Sequence, residues 1–511
     1  MLAKVTSAAV LGVDGYLVHV EVDVNQGLPA FDIVGLPDSA VKESRERVRT
    51  AIRNAGLPFP VKRITVNLAP ADIRKVGPAF DLPIAIGILV CMGVLKQEDV
   101  QNIFFTGELS LDGSVRSVNG VLPMILAAKS YGIDNCCVPK DNGSEAALVN
   151  GMIVLPASYL MEIVNHFSQK GKAIARAVPS SSCDVPNYNV DFADVKGQLF
   201  VKRSLEVAAA GYHNVLIIGP PGAGKTMLAH RMPTIMPDLT IDESLEITKI
   251  YSIAGLLNQR QARITERPFR APHHTASSMA LTGGGRVPMP GEISLAHNGI
   301  LFLDELPEFQ KRTLEILRQP LEDGEVTISR AYGTLTYPSA FMMLASMNPC
   351  PCGYWGASGD VKKCNCTQNE IEKYLRKVSG PLLDRIDIQV EAANLEYKDM
   401  EQARGESSAD IKARVIKSHA IQQARFSNVQ QANIRNNAQM TAPMVDHFCP
   451  LGSTEKELIR QAFDNLGLSA RAYHKILKLA RTIADLEEAK NINVMHLTEA
   501  LSYRSLDRKY W

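Results

Sequence analysis

Residues 214–232 read NVLIIGPPGAGKTMLAHRM, and this stretch decides the fold. Val215–Ile218 is an apolar run of strand length, and a glycine-rich turn carries it directly into a helical pattern. Strand, tight turn and helix are the context in which GPPGAGKT works as a phosphate loop. Gly222 and Gly224 let backbone N–H groups curl around phosphate oxygens, while the helix start adds its dipole. Lys225 is expected to reach the β and γ phosphates, and Thr226 to offer its hydroxyl to Mg²⁺. Gly219, Pro220, Pro221, Gly222, Ala223, Gly224, Lys225 and Thr226 therefore form the predicted nucleotide-binding loop, with ATP and Mg²⁺ as its cofactors.

GILFLDE, residues 299–305, supplies the partner of this loop. Its four apolar residues suit a central strand, and Asp304 and Glu305 fall where such strands open onto a ligand crevice. Asp304 is expected to orient hydrated Mg²⁺ and Glu305 to polarise the attacking water. Asn348 ends another apolar strand, FMMLASMN, where a neutral amide suits the lytic water or the γ-phosphate. Arg385, in SGPLLDRIDI, has two readings: an ion pair with Asp384 or Asp387, or an arginine finger reaching a neighbouring subunit's nucleotide. Arg471, in LSARAYHKIL, is either a solvated helix-face residue or a second arginine on phosphate.

The chain has 511 residues, room for about three ordinary domains. At 46% hydrophobic and 21% charged it matches neither a disordered nor a fibrous class. Lys and Arg total 55 against 54 Asp and Glu, so a nucleic-acid site would have to be a local basic surface. The longest apolar run, Phe80 to Leu95, is short for a membrane span and carries Asp81 and Pro83, so no membrane helix is expected. The N-terminal MLAKVTSAAVLGVDG imitates a signal peptide but runs straight into LVHVEVDV, which alternates as a strand does. Nine cysteines, five of them scattered, do not form a disulfide framework, and a reducing cytoplasm is the expected location.

Strand and helix signals alternate through residues 1–169, including a helix opening near Asp38 with Val41, Val48 and Ile52 on one face. Residues 170–189, rich in Ser, Pro and small residues, read as a linker. Residues 190–394 form a second α/β domain around the phosphate loop, and 395–511 are helical.

In this order the pieces resemble AAA+ ATPases. DFADVKGQ, APHHTAS, GEISLAHNGILFLDELPEF, SMNPCPCGYWG and LSARAYHKILKLARTIADL bring the whole chain close to the magnesium-chelatase-like family called YifB or ComM. The resemblance implies an α/β fold with an inactive Lon-protease-like N-terminal domain, a magnesium-chelatase-type AAA+ core and a C-terminal helical lid. It also implies a hexameric ring motor, with ComM members acting as helicases in branch migration of recombining DNA. Arg385 then acts in trans and Arg471 from the lid. Fold relatives carry a hairpin ahead of the sensing Asn, here EVTISRAYGTLTYP, Glu325 to Pro338; Arg330 and Tyr332 near its tip are either pore residues for a nucleic-acid strand or ordinary surface. His273 and His274, as neighbours on a strand, would point to opposite faces and make awkward joint ligands.

The N-terminal segment resembles Lon proteolytic domains through RKVGPAFDLPIA and GELSLDGSVRSVNGVLPMILAA. Lon chemistry needs a Ser nucleophile and an activating Lys, and the matched positions here hold Ala79 and Leu122. The fold is expected without the proteolysis. Three functions compete at this point: a DNA motor, a chelatase-like or remodelling ATPase acting on a protein partner, and an ATP-dependent protease, which the missing nucleophile disfavours.

NPCPCGYWGASGDVKKCNC, residues 348–366, puts Cys350, Cys352, Cys364 and Cys366 into two C-x-C pairs. A loop folded back on itself would bring the four thiolates together around a structural Zn²⁺, although C-x-C is tighter than the usual knuckle. Scattered buried thiols and disulfides are the alternatives.

Overall fold

Val215–Ile218 is the second-from-edge strand of a five-stranded parallel sheet, in the order Phe269–Arg270, Ile300–Leu303, Met342–Met347, Val215–Ile218, Ile388–Glu391. The structure is a computed structural model that describes the chain outside residues 170, 179–187, 258–261, 286–287, 331–332, 357–362, 395–403, 428–433, 467–468, 507–509 and 511. Every residue of Val215–Ile218, Ile300–Leu303 and Met342–Met347 is buried, which is why these strands read as continuous apolar runs. Parallel pairing sets their C-terminal ends in register: Ile218 lies beside Met347 and Leu303 beside Ala345. The phosphate loop, Asp304 and Asn348 follow those ends, so one edge of the sheet carries all three.

The chain divides into two compact units, Met1–Asp184 with Ile241–Ile264, and Val185–Thr240 with Thr265–Trp511. In the first, a mixed seven-stranded sheet runs in the order Ala30–Val34, Arg63–Ala69, Asp14–Asn25, Leu2–Leu11, Ile103–Phe105, Asn135–Pro139, Ile153–Ala157. The helix Ser39–Asn54 begins at Asp38, whose Oδ1 accepts from Val41 N at 2.8 Å, and it buries Val41, Val48 and Ile52 as its spacing predicts. The apolar run from Phe80 becomes the helix Asp81–Cys91, with Asp81–Val90 all buried. Among the described residues no helix is long and apolar enough to cross a membrane.

Three features differ from the boundaries expected from sequence. The helix Ile241–Ile253, inside the stretch 190–394, belongs to the first unit: Ile247, Ile250 and Ile253 are buried, Gly120 N donates to Ser252 O at 3.1 Å, and Ser252 Oγ hydrogen-bonds Glu145. An amphipathic helix inserted between two strands carries no local mark of the surface it covers. The C-terminal helices do not stand apart either. Ile476, Leu479 and Ile483 of the helix Ala470–Leu486 share one apolar core with Val215 and Ile217. Part of the expected linker also packs onto the first unit, where Ala177 N donates to Val154 O at 2.9 Å and Ile174 N to His166 Nδ1 at 3.1 Å.

Candidate ATP site and its flanking elements

Gly222 and Gly224 hold φ of +82° and +81°, and a Cβ built on either meets nothing within 4 Å. They are therefore needed for their left-handed backbone, which wraps the loop around open volume. Gly219 is needed for space, since a Cβ there would lie 2.6 Å from Ala392 O. The resulting cleft, about 330 Å³, is lined by Pro221–Met227, Asp304, Glu305 and Ser346–Asn348.

Lys225 Nζ donates to Gly219 O at 2.7 Å, Pro220 O at 3.0 Å and Asn348 Oδ1 at 3.1 Å. Burial lowers its pKa, against the opposing charges of Asp304 and Glu305. Its three acceptors are neutral oxygens, so among the described residues the ammonium has no anionic partner at hydrogen-bond distance, and a phosphate would supply one. Thr226 Oγ1 donates to Asp304 Oδ2 at 2.9 Å, a hydroxyl and carboxylate spaced as two ligands of one hard cation are. The donor set fits a Mg²⁺-bound nucleoside triphosphate.

Ser346, which sequence reasoning missed, donates to Asp304 Oδ1, and Glu305 N donates to the same oxygen at 3.0 Å. Its signal was position, near the end of the strand Met342–Met347 and two residues before Asn348, which follows that end. Glu305 itself stands at φ +54°, a sparsely populated conformation for a side-chain-bearing residue. His274 Nδ1 lies 3.4 Å from Glu305 Oε2. The two histidines are not strand neighbours as expected: they lie beyond the strand Phe269–Arg270, with ring centroids 4.1 Å apart and tilted by 33°.

Neither expected aspartate partners the Arg385 guanidinium. Arg385 Nη2 pairs with Glu322, Nε donates to Arg318 O at 3.0 Å, and Nη1 donates to Pro381 O at 2.7 Å. Arg471 Nη2 reaches the other oxygen of Glu322 at 3.3 Å. The two arginines thus meet at one carboxylate 63 and 149 residues away in sequence, a distance that hid it from local reading. Asp387 is engaged elsewhere. It pairs with Lys475 at 3.0 Å and lies 3.6 Å from His213, and it accepts from Asn214 N at 3.0 Å. Burial pushes its pKa up, but Lys475 and His213 outweigh that and hold it well below the usual carboxylate range. Asn214, also missed, ties the strands together: Nδ2 donates to Arg385 O at 3.0 Å, and Oδ1 accepts from Met343 N at 2.8 Å.

The strands Glu325–Arg330 and Gly333–Pro338 pair antiparallel as the expected hairpin, with Arg330 opposite Gly333. The backbone places Arg330 at its tip; Tyr332 lies outside the described residues.

The four clustered cysteines come together, their sulfurs all within 4.8 Å of one another. Cys350 Sγ is 3.3 Å from Cys352 and 3.8 Å from Cys364, and Cys352 is 3.5 Å from Cys364. A tetrahedral Zn²⁺ with bonds of about 2.3 Å needs sulfurs about 3.7 Å apart. Burial works against ionising Cys352, yet N–H groups and a neighbouring thiol hold it down at about 6, while burial and adjacent sulfurs push Cys366 up to about 12. Four sulfurs crowded this closely are a set that a divalent cation relieves. The knuckle also touches the phosphate loop: a Cβ on Gly353 would stand 2.6 Å from Pro221 Cδ.

In the first unit, Ala79 and Leu122 are both buried and neither carries a reactive group. Thr106 Oγ1 donates to Ala79 O at 3.3 Å and lies 3.9 Å from Met124 Sδ. Met124, two residues beyond Leu122, is thus the residue whose side chain shares Thr106 with Ala79.

A parallel sheet with a phosphate loop, an acidic strand end and a polar strand end at one edge defines a P-loop ATPase of the kind to which AAA+ proteins belong. Models of the magnesium chelatase subunit ChlI match residues 20–142 and 191–400, and a model of the ChlI C-terminal region matches 405–504. Competence protein ComM of Haemophilus influenzae is 43% identical across 99% of this chain and 98% of its own, and Escherichia coli YifB is 42% identical across the same shares. Lon protease 2 of Bacillus subtilis is 28% identical over 32% of this chain and 30% of its own. The chain belongs to the YifB/ComM family of magnesium-chelatase-like AAA+ ATPases, a family whose members use ATP and Mg²⁺.

Proposed function

We propose that the protein is an ATP-driven ring motor that acts on DNA, of the branch-migration type. The observation that carries the hydrolytic part is Lys225 held between the phosphate loop and Asn348, beside the Thr226–Asp304 pair. Lys225 binds the β and γ phosphates; Asn348 fixes the γ-phosphate or the water in line with it. Thr226 and Asp304 would hold Mg²⁺, which when bound would supply charge neutralisation at the phosphate oxygens. Ser346 and Glu305 N keep the Asp304 carboxylate aimed at that position. Glu305, at the mouth of the cleft, takes the proton of the attacking water. Arg385 and Arg471 complete the site of an adjacent copy in a homo-hexamer, because in their own chain they stand at Glu322 and not along the cleft.

The DNA part rests on similarity to ComM, a protein named for competence, and on the hairpin that presents Arg330 at a tip. Cys350, Cys352, Cys364 and Cys366 hold a structural Zn²⁺ that fixes the loop between Asn348 and the helix Gln368–Leu375. This reading places the protein in the cytoplasm, where ATP and reduced thiols are available. The test is ATPase rate with single-stranded, duplex, forked and four-way DNA. Stimulation is expected, strongest with branched forms; one rate with and without every DNA would move the assignment to a protein-remodelling ATPase.

A further inference from the structure

Glu322, on the helix Arg318–Asp323, is the carboxylate on which the two proposed trans arginines converge. One oxygen faces Arg385 and the other Arg471, so a single negative charge separates two cations that would otherwise repel. Arg385 is also held by Arg318 O and Pro381 O, which leaves it 12% exposed, whereas Glu322 and Arg471 are 52% and 60% exposed. A carboxylate facing guanidinium groups occupies the place a phosphate takes: both offer oxygens in the geometry of the arginine fork, and a terminal phosphate carries the larger charge. The Arg471–Glu322 pair is exposed on both sides, and pairs of that kind are weak and exchange readily.

We propose that Glu322 is a positioning residue that parks Arg385 and Arg471 together and yields them to the terminal phosphate of a nucleotide bound by an adjacent copy. The inference rests on the trans reading above. Glu322 then competes with that phosphate, which sets how much nucleotide the ring needs before the arginines engage. The carboxylate is not a catalytic residue, since it leaves the arginines before they act.

The test is steady-state ATPase of the full-length assembled protein against ATP concentration for wild type, Glu322→Gln and Glu322→Ala, with assembly checked by light scattering. Gln keeps the shape and removes the competing charge, so KM is expected to fall by roughly two- to tenfold without a fall in kcat, and Ala should do the same. A merely structural role would lower kcat or stability and leave KM in place. Unchanged KM in both assembled variants, or a kcat loss like that of Arg385→Ala, would overturn the parking role. Mixing Arg385→Ala with Lys225→Ala separates the two claims. Recovered activity in the mixture upholds the trans reading whatever Glu322 does; an inert mixture with a lowered KM in Glu322→Gln would place the arginines at their own subunit's site and overturn the proposal as stated.

Discussion

Glu305 occupies a left-handed backbone conformation while Asp304, one residue earlier, is tied to Thr226 and Ser346. Adjacent carboxylates thereby face different surroundings, which suits the separate tasks proposed for them. Glu305→Gln should therefore keep ATP binding and lose at least about a hundredfold in turnover, because the amide cannot accept the water's proton. Fluorescent-nucleotide binding and phosphate release measured on one preparation check both halves. At this scale the sequence was most informative: GPPGAGKT, the acidic pair and Asn348 could each be placed because strand and helix patterns fix which end of a buried strand they occupy. Ser346, His274 and Glu322 were not legible, because a serine on a strand, a histidine in a turn and a glutamate on a short helix acquire meaning only from the groups that tertiary folding brings to them.

Between elements, Asp387 and Lys475 join the strand Ile388–Glu391 to the helix that begins near Arg471. Asp387 has its pKa depressed, so its stabilisation is fully present above its unfolded value near 4 and is lost as pH falls through the lower folded value. Asp387→Asn leaves Lys475 buried without its counter-charge and should cost about 3–5 kcal/mol, with the gap to wild type narrowing only below about pH 4. Urea denaturation at several pH values reads this directly. The Cys350–Cys366 cluster makes a separate prediction. Elemental analysis should find one Zn²⁺ per chain, and its removal should loosen the loop against Pro221 and raise KM for ATP; a metal-free protein with unaltered kinetics would remove the zinc assignment. The sequence disclosed the strand order's raw material but hid the insertion Ile241–Ile253, since amphipathicity records that a face is covered and not what covers it.

For the whole molecule, Arg385 and Arg471 pair with Glu322 and neither lines the cleft of its own phosphate loop, which on the trans reading predicts that activity belongs to the assembly. Arg385→Ala and Lys225→Ala should each be inactive alone, yet regain a substantial fraction of activity when mixed, because a mixed ring contains interfaces with one intact loop and one intact arginine. With a near-balanced net charge of +1, the proposed DNA contact would have to come from local features such as the hairpin Glu325–Pro338. The central claim is that ATP turnover drives movement on branched DNA, and the most direct measurement is resolution of a labelled four-way junction with ATP and Mg²⁺ by wild type and Glu305→Gln side by side. Wild type is expected to convert the junction to duplex products while the variant, although it binds nucleotide, leaves it intact; wild-type protein that hydrolyses ATP and moves neither the junction nor a fork would contradict a DNA motor.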